Sequence, residues 1–244
     1  MNIIEEWLSE HGKLHFSLID PDKQPPAEAG KKAEKCAKYG TNAIMVGGTT
    51  VSSREMVYET VAEIKKRVEV PVILFPNSKE FLVDNADHLF FMSLLNSSDP
   101  SYRFYEQLEG AVVVKKLGIK CIPTGYIVIS TSPIPTTVEK KTNLDKIGAD
   151  DIEKAVKYAL YTEYTGMHCL YMDAGSNPYQ PIKDEMVRAV RENISLPLII
   201  GGGIRDGITA RKKIEAGADV IVTGTAVEEN IEVVGKIIKE MKKV

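Results

Sequence analysis

The chain has 244 residues, 43% hydrophobic and 27% charged, a soluble globular balance that excludes a disordered, collagen-like or disulfide-dense protein. With 31 Lys and Arg against 34 Asp and Glu, the formal net charge is −3, so there is no broad basic footprint and no nucleic-acid partner is expected. Cys36, Cys121 and Cys169 form no CxxC pair, the N-terminus carries acids where a signal peptide carries bases, and no apolar run approaches the ~20 residues of a membrane span; buried thiols and a cytoplasmic protein are predicted.

In chain order, short apolar runs alternate with amphipathic segments. The first run, residues 15–19, ends at Asp20-Pro21-Asp22-Lys23, and residues 26–39 follow as a proline-opened helix closed by Gly40. Run 43–46 ends at Gly47-Gly48-Thr49-Thr50 and leads into helix 53–68. Between runs 72–75 and 88–92 only a short helix fits, about 79–83. A helix starting at Asp99-Pro100 then reaches Leu117, and run 121–129 leads into the polar, proline-containing stretch 130–146, read as a flexible loop or lid. Helix 150–163, with Asp150-Asp151 as solvated caps, precedes run 169–172. The last units are helix 184–192, run 198–200, helix 209–216, run 220–223 and helix 231–242.

Most runs are nearly all apolar, as strands buried on both faces should be. Eight strand-then-helix units without a composition break predict an α/β protein with one domain over 1–244. Length and strand count favour a closed, parallel TIM-type β/α barrel over an open doubly wound sheet.

In such a barrel, chemistry gathers where strands end. The strongest signal is the late pair, Gly201-Gly202-Gly203 after run 198–200 and Gly224-Thr225 after run 220–223. Glycines let backbone amides approach an anion, and these two loops are the usual phosphate grip of the fold. Asp20 suits Mg²⁺ held through one carboxylate, with Thr49 adding a hydroxyl. Asp20 equally suits an Asx-Pro turn, and spacing alone does not choose. Lys23 either contacts phosphate or is simply solvated.

At these positions the sequence resembles the geranylgeranylglyceryl phosphate synthase family. The resemblance runs through Leu18–Lys23, Ile44–Thr50, Phe91–Asn96, Pro123–Tyr126, Tyr171–Ser176, the triple glycine and Gly224-Thr225. It implies a modified β/α barrel that transfers a prenyl group to the 3-hydroxyl of sn-glycerol 1-phosphate, with geranylgeranyl diphosphate as donor, in ether phospholipid biosynthesis. Heptaprenyl diphosphate is the alternative donor. A sugar-phosphate isomerase or epimerase, or a silent phosphometabolite-binding barrel, are the competing readings.

By that resemblance, Asp20 and Thr49 hold Mg²⁺, and Tyr171, Met172, Asp173, Ala174, Gly175, Ser176, Asn177, Gly202, Gly203, Gly224 and Thr225 surround glycerol phosphate. Asp173 orients or deprotonates the hydroxyl, with Tyr171 in support. Phe75, Tyr126 and Ile127 are candidates for the apolar groove of the prenyl tail. Two departures stand out: Asp173 replaces the Glu usual in the family, and the segment ends Gly-Ser-Asn rather than Gly-Ser-Gly. The resemblance further implies a homo-oligomer, dimer or hexamer, and peripheral membrane contact is compatible with a lipid substrate.

Overall fold

The computed structural model describes residues 1–244. Its strands are β1 (Leu14–Ile19), β2 (Ala43–Gly47), β3 (Val72–Phe75), β4 (His88–Leu94), β5 (Lys120–Ser130), β6 (Ile147–Gly148), β7 (Cys169–Asp173), β8 (Leu198–Gly201) and β9 (Val220–Thr223). Eight of them run in the order β4-β3-β2-β1-β9-β8-β7-β5, and β5 pairs back onto β4, closing an all-parallel barrel. The two-residue β6 pairs only with β5, at Ile129 and Ser130. The chain is therefore the TIM-type barrel that its strand pattern predicts.

Strand alternation sorts the core into layers. Leu14, Phe16, Met45, Ile73, Phe90, Ile122, Val128, Ile199 and Val222 fill the barrel with Tyr126 and Tyr171. The intervening positions face outward against helices: Ile44, Val46 and Leu74 on one side, Ile127, Met172 and Ile200 on the other. Those helices are α2 (Pro26–Tyr39), α3 (Arg54–Lys65), α4 (Glu106–Leu117), α6 (Ile152–Tyr164), α7 (Asp184–Asn193), α8 (Gly207–Glu215) and α10 (Glu232–Met241), with the short α9 (Thr225–Glu229) after β9. Asp151 caps α6 by accepting from Lys154 N, as a solvated cap should.

Three local departures shape the site. First, α1 (Ile3–His11) precedes β1, held by a capping box between Asn2 and Glu5. Its Ile4 is fully buried, and Trp7 stands edge-on to Phe16 and His88, closing the barrel end opposite the strand C-termini. Second, a single 3₁₀ turn, Lys79–Phe81, stands where a full helix would join β3 to β4, leaving a gap in the helical layer. Third, the stretch read as a loop contains a helix, α5 (Thr137–Lys141). A Thr136–Glu139 capping box starts it, Ser130 Oγ also donates to the buried Glu139, and Val138 packs into the barrel core. No helix is long and apolar enough to cross a membrane.

Candidate active site

Two connected cavities open at the C-terminal ends of the strands. Their shared walls are Gly48, Thr49, Phe75, Tyr126 and Val138. One is polar and lies over the barrel axis. The other is an apolar groove running through the gap between β3 and α4, past Leu82, Leu89, Phe91 and Met92.

Asp20 sits at the top of β1 and caps the 3₁₀ turn Pro21–Lys23, its Oδ1 accepting from Asp22 N at 3.1 Å. The Asx turn is therefore real, and it occupies only one carboxylate oxygen. The other faces Gly48, where a Cβ would lie 2.3 Å from Oδ2. Glycine at this position leaves a cradle over the free oxygen, with Thr49 alongside. Burial raises the Asp20 carboxyl above its ordinary value, against the pull of Asp22 N and Lys23. No three His, Cys, Asp or Glu side chains converge anywhere in the chain, so a protein-only metal cage is absent. A carboxylate with one free oxygen and a hydroxyl residue lining the same cavity fit a hard divalent cation that takes its remaining ligands from water and substrate phosphate.

Asp173 ends β7 on the barrel axis. Its Oδ2 accepts from Tyr126 OH at 2.7 Å and its Oδ1 from Gly175 N at 2.9 Å. Burial raises its pKa while these two donors lower it. Tyr126, Tyr171 and Phe75 form an aromatic cluster beside it, with ring centroids 5.2 to 5.7 Å apart. Burial and the Asp173 charge push both phenols well up, so they stay neutral donors.

The polar wall comes from Gly175, Ser176, Gly202, Gly203, Gly224 and Thr225, which all line this cavity. Gly202 and Gly203 take φ of +81° and +73°, and a Cβ on Gly202 would meet Ala174 N at 2.7 Å. Only glycine permits that turn, which keeps the wall backbone-lined. The family departure at Asn177 finds its reason here: φ is +49°, a left-handed position that Asn tolerates better than most residues. Its Oδ1 accepts from Arg205.

Three of the expected side chains, those of Met172, Ala174 and Ile127, pack away from the cavities. Met172 and Ala174 turn outward into the helical layer, so β7 presents Tyr171 and Asp173 to the cavity but not these side chains. Asn177 directs its side-chain oxygen to Arg205. Ile127 faces α6 and α7 rather than the groove, whereas Phe75 and Tyr126 do line it. Lys23 lines the polar cavity, but its Nζ is paired with Glu228 at 2.8 Å. The sequence reading assigned no role to Arg205, two residues after the triple glycine, or to Lys141 of α5, which no local pattern marks.

Residues 3–244 match the PcrB family. Geranylgeranylglyceryl phosphate synthase of Pyrococcus horikoshii is 46% identical over 220 residues, 90% of this chain and 85% of that one. The same synthase of Methanopyrus kandleri is 42% identical over 238 residues, 97% of either chain. A solved structure of (S)-3-O-geranylgeranylglyceryl phosphate synthase from Thermoplasma acidophilum, in complex with its substrate sn-glycerol-1-phosphate, is 36% identical with a TM-score of 0.95 and full coverage of both chains.

Proposed function

The chain belongs to the PcrB family, and from that premise we propose that it is a prenyltransferase joining the 3-hydroxyl of sn-glycerol 1-phosphate to C1 of a prenyl diphosphate such as geranylgeranyl diphosphate. The observation that carries this reading is the junction of the two cavities. An apolar groove meets a backbone-walled anion site, and Asp20, Thr49 and Asp173 line the polar side of that junction. A sugar-phosphate isomerase or epimerase has use for the anion site but none for the groove.

The wall of Gly202, Gly203, Gly224 and Thr225 receives the phosphate of the acceptor, with Arg205 beside it. That anchor turns the 3-hydroxyl toward Asp173. The raised pKa makes Asp173 a better proton acceptor than an exposed carboxylate, and Tyr126 and Gly175 hold its direction. Family members commonly carry the longer Glu; here Tyr126 OH and Gly175 N fix the shorter carboxylate at the cavity edge. The tail lies in the groove along Phe75, Met92 and Leu89, with prenyl C1 at the aromatic cluster. The negative ring faces there stabilise positive charge developing on the allylic carbon. As the new ether C–O bond forms, the C1–O bond to diphosphate breaks and the hydroxyl proton passes to Asp173. Asp20 and Thr49 would hold Mg²⁺, which supplies neutralisation of the leaving diphosphate. Holding both reactants in line contributes much of the rate.

Incubating the purified chain with sn-glycerol 1-phosphate, Mg²⁺ and prenyl diphosphates from farnesyl to heptaprenyl tests the reading. An ether product that requires Mg²⁺ is expected. No such product with any of these donors overturns it.

A further inference from the structure

The cavities are short of positive charge for the anions they would hold. The polar one is lined by three carboxylates, Asp20, Asp173 and Glu228, against two cations, Lys23 and Arg205. Lys23 is already neutralised by Glu228. In the groove, Lys79 is paired with Glu106 at 3.4 Å. Two cavity-lining cations remain outside any ion pair. Arg205 donates to Asn177 Oδ1 and Pro178 O, on the acceptor side. Lys141 donates to the backbone carbonyl of Thr49 at 2.9 Å, on the donor side.

We propose that Lys141, carried by the helix α5 across the cavity mouth, is a diphosphate-binding residue of this site. The inference rests on the transferase reading above and assigns its donor subsite a second cation. Geometry supports it in three ways. Lys141 Nζ is anchored on Thr49 O, and Thr49 lines the same polar cavity as Asp20. An ammonium bonded only to one neutral carbonyl keeps two of its three donors available for anionic oxygen. Val138, one turn earlier on the same helix, lines both cavities, so α5 spans the place where head and tail of the donor part. Lys23, the basic residue that stands out in the sequence, is too fully paired to take this part.

The test is calorimetric titration of the full chain with inorganic pyrophosphate and, separately, with sn-glycerol 1-phosphate, together with the KM for each substrate. Wild type, Lys141→Met, Lys141→Gln and Lys141→Arg are compared. Loss of one charge-assisted contact should weaken pyrophosphate about tenfold in Lys141→Met and Lys141→Gln. Donor KM should rise in step, glycerol phosphate binding should not move, and Lys141→Arg should restore most of the loss. Unchanged or undetectable pyrophosphate affinity in wild type and variants alike overturns the proposal. So does an equal loss for both ligands, the signature of a residue that merely ties α5 down. Absence of ether product in wild type counts against the transferase reading instead, and the pyrophosphate titration still decides for or against Lys141.

Discussion

Tyr126 donates its hydroxyl to Oδ2 of Asp173 across 2.7 Å, joining β5 to β7 at the floor of the site. The bond stabilises the ionised carboxylate, whereas burial opposes it. If Asp173 accepts the substrate proton, only its charged form works, so kcat/KM falls as pH drops through its pKa. Burial places that acid limb above the ordinary Asp value of about 3.9. Tyr126→Phe removes a force that lowers the pKa, so the limb should move to higher pH. At mildly alkaline pH the variant should keep its rate within about tenfold, the worth of one hydrogen bond to a charge. Asp173→Asn should lose about a hundredfold or more at every pH. A Tyr126→Phe profile superimposable on wild type would show that Asp173 is not the titrating base.

Gly48 gives a sharper test of Asp20 than deleting the carboxylate does. Its backbone is outside the left-handed region, so alanine is conformationally acceptable, yet the new Cβ would lie 2.3 Å from Asp20 Oδ2. The carboxylate must turn away. Gly48→Ala should therefore lose most Mg²⁺-dependent turnover, recover part of it at high Mg²⁺, and unfold within ~4 °C of wild type. Asp20→Asn should lose turnover without recovery. Normal Mg²⁺ dependence in Gly48→Ala would remove Asp20 from the metal site.

The contrast between Gly48 and Met172 marks how far the sequence could be read. The strands were legible because burial on both faces makes them apolar runs, and the runs at 72–75 and 220–223 coincide with β3 and β9. The strand-end glycines were legible because close backbone approach admits little else. Tyr171 to Ser176 matched as one block, but a strand shows only alternate residues to each face, which is why the side chains of Met172 and Ala174 pack into the helical layer. α5, at five residues, is too short to display a helical period; only the Thr136–Glu139 spacing hinted at it. α1 carried the same hint in Asn2 and Glu5, with Ile4, Trp7 and Leu8 at helical spacing. The partners of Lys141 and Lys23 are 92 and 205 positions away and exist only once the barrel closes.

His15 makes the fold sensitive to acid. It is buried between Thr41 Oγ1 at 2.9 Å and Thr223 Oγ1 at 3.0 Å, and burial lowers its pKa from 6.5 to about 3. The unfolded chain takes up a proton near 6.5, while the folded chain refuses it until about 3. This contribution is therefore complete above pH 6.5 and is lost as pH falls through the window down to about 3. Within the window the slope is about 1.4 kcal/mol per pH unit. His15→Gln cannot titrate, so its unfolding midpoint should fall less steeply than that of wild type between pH 6 and 4. Parallel pH dependences would mean that His15 is protonated in the fold.

Gly110 is the place to read donor length. It lies on α4 facing the groove, and a Cβ there would meet only Lys79 Cβ at 3.5 Å, an ordinary contact. Gly110→Ala should therefore be tolerated, gain about 0.5–1 kcal/mol from helix propensity, and leave turnover nearly unchanged. Gly110→Trp instead projects an indole into the space past Leu82 and Leu89 that a long tail would need. With a series of farnesyl, geranylgeranyl and heptaprenyl diphosphates, kcat/KM of Gly110→Trp should fall most for the longest donor and least for farnesyl. The KM for sn-glycerol 1-phosphate should stay put, because Gly110 borders the groove and not the polar cavity. Equal losses for all donors would place the tail elsewhere, and the gap between β3 and α4 would then have to be explained without a prenyl chain in it.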